Sequence, residues 1–171
     1  MEKFISVPLA AVINSGTTTE TIADKLVESG QDFLSTVRVG DIIVNNTNKT
    51  TAVVTEVDSD EILSISPDLF LVDEEFTIYS STVKVDQIIN ATGALLVVQH
   101  QIDEVQITYL GQGFKGWISI YHSPLVSGSV DFRTAVQNAI IESLSIKNNL
   151  KSVFPIVLPD ASAVVSVEAI G

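Results

Sequence analysis

Apolar and polar residues alternate along most of this chain in short runs, a pattern that predicts β-strands rather than helices. The first apolar run extends from Phe4 to Val12. Between residues 15 and 80 the chain is rich in Thr, Asp and Val, and its apolar runs are short. Thr51 to Val57 and Ile62 to Ile65 flank the turn residues 58–61, so they predict a β-hairpin. Turns at even spacing predict a small β-barrel or rolled sheet for this segment.

A second pattern begins after Ser81 and predicts a sheet that is covered by a helix. From Asp131 to Lys147 apolar residues recur at helical spacing, with Ser129 as a candidate N-cap. Ala23 to Glu28 also admits a helix, but we interpret it as a strand because it is very short and Gly30 follows. The remaining apolar runs predict strands at Lys84 to Ile89, Ala94 to Gln99, Glu104 to Leu110, Gly116 to Tyr121, Val153 to Leu158 and Ala163 to Ile170.

The strand from Phe4 to Leu9 is separated from this second sheet by the whole β-rich segment. Turn-forming residues at positions 14–16 suit one junction, and the change of pattern after residues 80–81 marks the other. Pro8 cannot donate a backbone hydrogen bond, which predicts that this strand lies at a sheet edge or pairs on one side only. We therefore predict a mainly β (α+β) fold with two domains. Residues 14–81 form a small β-barrel inserted into an α+β domain, residues 1–13 plus 82–171, which has a β-sheet and one long helix near the C-terminus.

The composition indicates an ordered protein with an acidic surface. Of 171 residues, 46% are hydrophobic and 18% are charged, which is typical of a chain that buries a core. Residues 1–85 carry 14 acidic and 5 basic side chains, and residues 86–171 carry 7 and 4, giving a net charge of −12. Because nucleic acids and anionic lipids are bound by Lys and Arg, we expect neither a nucleic-acid nor a membrane partner. The absence of cysteine excludes disulfides and thiolate metal sites.

Residues capable of catalysis or ligand binding are present, but none forms a specific motif. His100, Asp103 and Glu104 are close in sequence and can be imagined as a metal or acid–base site, yet an isolated histidine in a β-rich run is more often a structural residue. Glycines at positions 111, 113 and 116 match the dinucleotide-binding spacing, but strands rather than a helix are expected after them. A glycosidase needs two facing carboxylates, and no pair stands out. We therefore expect no catalytic residues, cofactor or metal site, and a protein that is not an enzyme.

Four aromatic residues make the best candidate for a binding surface. Tyr109, Phe114, Trp117 and Tyr121 lie within one predicted hairpin. Tyr and Trp are enriched at interfaces, where they contact sugars or protein partners. Alternating aromatic residues in strands also commonly pack into their own core, and the sequence leaves both interpretations open.

Five runs between residues 21 and 79 carry a family resemblance: Ala23 to Phe33 (ADKLVESGQDF), Val39 to Asn45 (VGDIIVN), Val54 to Ser59 (VTEVDS), Ile62 to Ser66 (ILSIS) and Phe76 to Tyr79 (FTIY). Together they resemble a module that recurs in virion structural proteins of tailed phages, notably phages of marine bacteria. The rest of the chain is more faintly similar to another small virion protein type.

The resemblance implies a structural role in a virion. It suggests a capsid decoration or cement subunit that binds the head surface, with the major capsid protein or other virion proteins as partners. Such subunits commonly work as homo-oligomers, in which many copies each add a modest interface. The alternative that it leaves open is a carbohydrate- or receptor-binding module of a tail or fibre component, using the four aromatic residues above.

Overall fold

The computed structural model describes residues 2–111, 114–124, 131–146, 153–159 and 162–170. These residues form one open sheet of eleven strands and two helices, so the mainly β fold with one long helix near the C-terminus is confirmed. The strands are β1 (Phe4–Thr17), β2 (Lys25–Val27), β3 (Ile42–Asn45), β4 (Thr50–Val57), β5 (Ile62–Ser66), β6 (Glu75–Asn90), β7 (Ala94–Gln101), β8 (Glu104–Gly111), β9 (Phe114–His122), β10 (Val153–Pro155) and β11 (Val164–Ile170). The helices are α1 (Phe33–Thr36) and α2 (Phe132–Ser145).

The order of strands across the sheet is β2-β5-β4-β3-β6-β1-β11-β9-β8-β7, and β10 pairs with β1. The predicted hairpin is present as β4 and β5, and the strand predicted within residues 23–28 is present as β2. Because the sheet is open, the small β-barrel predicted for residues 14–81 is not confirmed. An isolated bridge between Glu20 and Val27 nevertheless brings the residues after β1 beside β2.

Strands β1 and β6 form a long antiparallel ribbon that runs through the whole molecule, from the pair Phe4 and Asn90 to the pair Thr17 and Glu75. The sequence predicts a break at residues 80–81. There β6 continues as one strand, but its pairing with β1 jumps from Val12–Tyr79 to Ala10–Lys84, so residues 80–83 bulge out of the ladder. The buried Asp41 carboxylate contacts this bulge and accepts hydrogen bonds from the backbone N–H and the hydroxyl of Ser81, at 2.9 and 3.0 Å.

Pro8 lies in the interior of the sheet, so β1 is not an edge strand, but at Pro8 itself the strand pairs on one side only, as the other arm of the prediction has it. On one side, β1 pairs with β6, where Asp86 lies opposite Pro8. On the other side, β10 pairs only as far as Ser6, and β11 begins to pair at Leu9. The missing N–H of Pro8 thus coincides with the gap between two partner strands, where no hydrogen bond is required.

Two separate hydrophobic cores lie along the β1–β6 ribbon. The first is formed within residues 14–81, here called the acidic module, by side chains of β2 to β6 around Phe33 and Phe76. The second is formed in the remaining described residues, here called the helical unit, where α2 packs on the face of the sheet that carries Ile5, Ile107 and Ile120. A small third cluster, which includes Ile42, Val44 and Tyr79 of the module and Ala10 and Ala163 of the unit, lies between them.

The helix α2 begins where its N-cap residue satisfies a free backbone donor. The Asp131 carboxylate accepts a hydrogen bond from the Arg133 N–H at 3.0 Å, which stabilises the first turn. Ser129 and Lys147, which the sequence places at the two ends, lie outside the described residues. Among the residues that the structure describes, no helix is long and apolar enough to cross a membrane.

Candidate functional site

The candidate aromatic residues do not lie on one surface. Tyr109 on β8 packs against the core beneath α2, and its hydroxyl donates to the Asn90 carbonyl at 2.7 Å. Burial of this phenol raises the pKa of Tyr109 to about 12. Trp117 and Tyr121 on β9 alternate with the core residues Ile118 and Ile120, so they lie on the opposite face of the sheet.

Only Trp117 and Tyr121 thus remain available as a surface pair among the candidates whose side chains are described. Trp117 is 38% exposed, whereas Tyr121 is half-buried. Phe114 is part of β9, but its side chain lies outside the described part of the structure. Strand alternation separates Tyr109 from Trp117 because Tyr109 pairs with Gly116 and Thr108 pairs with Trp117.

A cavity of about 290 Å³ lies at the junction of the module and the unit, beside Tyr79, Tyr121 and His122. The His122 ring stacks on Phe132, with 4.3 Å between ring centroids and 7° between planes. Its Nδ1 donates to the Ser123 carbonyl at 2.7 Å, and its Nε2 lies 3.1 Å from the Gln99 amide nitrogen. Burial lowers the pKa of His122 below its usual range, although the Ser123 carbonyl and nearby carboxylates favour the charged form.

His122 and Ser123 both make structural contacts. The Ser123 hydroxyl accepts a hydrogen bond from the Ala163 N–H at 3.0 Å, and the imidazole contacts the carbonyl of Ser123 rather than its hydroxyl. Both ring nitrogens are engaged, so the neutral ring fills space beside Phe132 and holds the end of β9.

The sequence neighbours His100, Asp103 and Glu104 do not converge on a metal site. Glu104 is buried and accepts hydrogen bonds from the Ser119 hydroxyl at 2.6 Å and the Gln106 amide at 3.0 Å. Burial raises the pKa of the Glu104 carboxyl, but these two hydrogen bonds and nearby His100 outweigh that effect and place the pKa below its usual value. In the part of the chain that the structure describes, no group of three metal-ligating side chains is present.

The glycines at positions 111 and 116 belong to a β-hairpin. Gly111 pairs with Phe114, and β9 rather than a helix follows. A dinucleotide site requires a helix N-terminus after the glycines, so the described residues do not supply that geometry. Residues 112 and 113 lie outside the described residues.

Exposed apolar side chains mark a surface that the sequence analysis missed. Residues 82–88 of β6 are all exposed, and Val83, Val85 and Ile88 are at least half exposed. At the end of the sheet that β7 forms, an open groove of about 340 Å³ lies between β7 and α2. Its lining includes the exposed side chains Leu95, Leu96, Ile141 and Leu144. The apolar residues are visible in the sequence, but their exposure depends on where β3 stops pairing with β6 and on the position of β7 at the end of the sheet.

Acidic charge and exposed apolar surface are unevenly divided between the two parts of the molecule. Residues 14–81 carry 13 acidic and 3 basic residues, a net charge of −10, which leaves −2 for the rest of the chain. The exposed apolar edges of β6 and β7 both belong to the helical unit, although the module also exposes large apolar side chains, namely Ile22, Leu34, Val39, Leu71 and Val72. No family model, curated protein or solved structure matches this chain.

Proposed function

We propose that this chain is a non-enzymatic structural subunit of a tailed-phage virion, most specifically a capsid decoration or cement subunit that binds the head surface. The observation that carries the proposal is the uneven division of charge and of apolar strand edges just described. The weakly charged helical unit presents apolar surface for attachment, and the acidic module presents a strongly charged surface for solvent. The resemblance of residues 21–79 to a virion module supports the same role.

In this proposal the acidic module is an inserted, barrel-like domain that projects from the capsid. Strands β1 and β6 pass from one core to the other, so the module is joined to the unit by a paired ribbon rather than by a flexible linker. The net charge of −10 on the acidic module repels other negatively charged surfaces. This repulsion acts within the Debye length, about 8 Å at physiological salt.

The attachment surface that we propose is the groove between β7 and α2. Apolar side chains such as Leu96 and Ile141 are exposed there, and contact with the major capsid protein removes them from water. A decoration subunit is present in many copies, so a modest interface in each copy suffices for stable coverage of the shell.

Co-sedimentation with purified capsids tests this proposal. We expect the wild-type chain to pellet with capsids of a tailed phage that encodes it, and Leu96→Glu to weaken binding about tenfold or more, since a buried leucine contributes about 1.5–3 kcal/mol. Leu71→Glu is the matched control, because Leu71 is similarly exposed but lies in the acidic module. Failure of the wild-type chain to pellet, or an equal loss with Leu71→Glu, contradicts the proposal.

A carbohydrate- or receptor-binding role in a tail or fibre is the second candidate, and the exposed indole of Trp117 is the observation that favours it. Aromatic faces stack on sugars, and Trp117 shares a sheet face with Tyr121. Binding to glycans or host cells that Trp117→Ala abolishes, in a chain that ignores capsids, would support this candidate instead.

A further inference from the structure

The outer edge of β6 is unpaired over residues 82–88 among the described residues. On one side β6 pairs with β1 as far as Asn90, but on the other side β3 pairs with it only as far as Tyr79. All seven residues of this segment are exposed. An exposed strand edge with apolar side chains is a template for pairing with another strand.

Two hydrogen bonds show which backbone groups face this free edge. The Ser6 carbonyl accepts a hydrogen bond from the Ile156 N–H, so the backbone N–H and C=O of Ser6 face β10. The backbone groups of its neighbours Ile5 and Val7 therefore face β6. The Ala91 N–H donates to the Lys3 carbonyl, which places the odd-numbered residues of this part of β6 toward β1. The N–H and C=O groups of Lys84, Asp86 and Ile88 therefore point outward, and no partner for them is found within the described residues.

The free edge of β7 is less suited to pairing. Its register with β8 shifts between Ala94 and Leu96 and again between Gln99 and Gln101, and such bulges disrupt the regular edge that a new strand needs. By contrast, β6 pairs with β1 without a shift from Lys84 to Asn90. The regular edge is thus the one on β6.

We propose that the β6 edge pairs in antiparallel fashion with the same edge of a second copy, about a two-fold axis at Val85. In this register Lys84 lies directly opposite Asp86 of the second copy, and Asp86 opposite Lys84 of the second copy. Opposite charges facing each other across antiparallel strands stabilise the pair. Moving the axis by one residue to Lys84 or to Asp86 places like charges opposite each other, so charge complementarity selects Val85.

The regular register of β6 with β1 begins at Lys84, and Thr82 and Val83 lie in the bulge before it. The axis at Val85 therefore rests on the regular residues 84–86, and the exposed residues on either side of them extend the contact. Val85 meets Val85 of the second copy in a non-hydrogen-bonded pair, where side chains approach most closely.

This inference goes beyond the proposed function, in which each copy attaches to the capsid, and it does not depend on that attachment. Its test uses the purified chain without capsids, so failure here is distinct from failure of capsid attachment. Sedimentation velocity across a dilution series is expected to show a monomer–dimer equilibrium.

Charge exchange on β6 tests the register. Lys84→Asp and Asp86→Lys each place like charges opposite one another twice per dimer, so each is expected to raise the dimer Kd about tenfold or more. The double variant, with both changes, restores opposite pairs and is expected to regain dimerisation. Lys49→Asp is the control, because this exposed module residue has the same charge change away from the edge. A monomer at every concentration, or equal effects of Lys84→Asp and Lys49→Asp, overturns the inference.

Cysteine placement gives an independent test because the native chain has no cysteine. Val85→Cys is expected to form a disulfide-linked dimer on mild oxidation, since the axis places this position against itself. Leu96→Cys, on the exposed edge strand β7, is expected to stay monomeric. Cross-linking at position 96 but not at position 85 overturns the inference, and circular dichroism verifies that both variants are folded.

Discussion

Replacing Phe132 by alanine is expected to lower the free energy of unfolding by about 3–5 kcal/mol, the usual range for removing a buried aromatic ring. Phe132 is fully buried at the start of α2, and its ring stacks on the buried His122 ring. The change leaves a cavity where the helix, the end of β9 and the sheet meet. Urea denaturation followed by circular dichroism measures the loss.

Leu144→Ala is the control for this prediction. Leu144 lies on the same helix but is 50% exposed, so its removal is expected to change stability by no more than about 0.5 kcal/mol. If both variants lose the same free energy, α2 is not anchored by Phe132 as the structure shows. A Phe132→Ala variant as stable as the native chain would contradict the described core.

Replacing Glu74 by glutamine is expected to destabilise the acidic module by about 2–3 kcal/mol, even though the two side chains have nearly the same shape. The Glu74 carboxylate is buried and accepts hydrogen bonds from the Asn45 amide at 2.8 Å, the Leu71 N–H at 2.9 Å and the Asn48 amide. An amide at this position places an N–H₂ donor against another donor. Thermal and urea unfolding of the variant measure the loss.

Glu75→Gln separates this effect from a simple change of charge. The Glu75 side chain is exposed at the start of β6, so its neutralisation is expected to change stability by less than about 0.5 kcal/mol. Equal destabilisation by the two substitutions would show that net charge, rather than the buried hydrogen bonds, determines the effect. Stabilisation by Glu74→Gln would contradict the network itself.

Local sequence patterns predicted the elements that have strong local signals. The hairpin between Thr51 and Ile65 has alternating residues around turn-forming ones, and α2 has apolar residues at helical spacing, so both were recognisable before any long-range contact was known. Leu144 shows the limit of this reasoning. It has the spacing of a core residue, but α2 ends beside an open groove, and half of the side chain stays exposed.

Features that depend on distant pairing were not predictable from the sequence. The bulge of β6 at residues 80–83 is bonded through Ser81 to Asp41, forty positions earlier in the chain. The placement of Pro8 rests on where β10 and β11 begin and end. The separation of Tyr109 from Trp117 rests on the register in which β8 pairs with β9. In each case the local sequence allows several pairings, and the long-range contacts select one.

The exposed edges illustrate the same point for function. Val83, Val85 and Ile88 match an ordinary buried strand in the sequence, and only the end of the β3–β6 pairing at Tyr79 shows that they lie on a free edge. The charge difference between residues 14–81 and the rest of the chain follows from the sequence. The position of the free apolar edges in the weakly charged unit does not, because it depends on strand pairing.

Hydrogen–deuterium exchange on the dilute free chain and on the capsid-bound chain tests the central claim most directly, namely that the helical unit attaches and the acidic module projects. Bound chain is expected to exchange more slowly at residues 82–88 and 94–99, where edges become paired or covered. Exchange in the module at residues 20–24 and 68–73 is expected to stay unchanged. Slowing confined to the module, with no change at the edges of β6 and β7, would contradict the account.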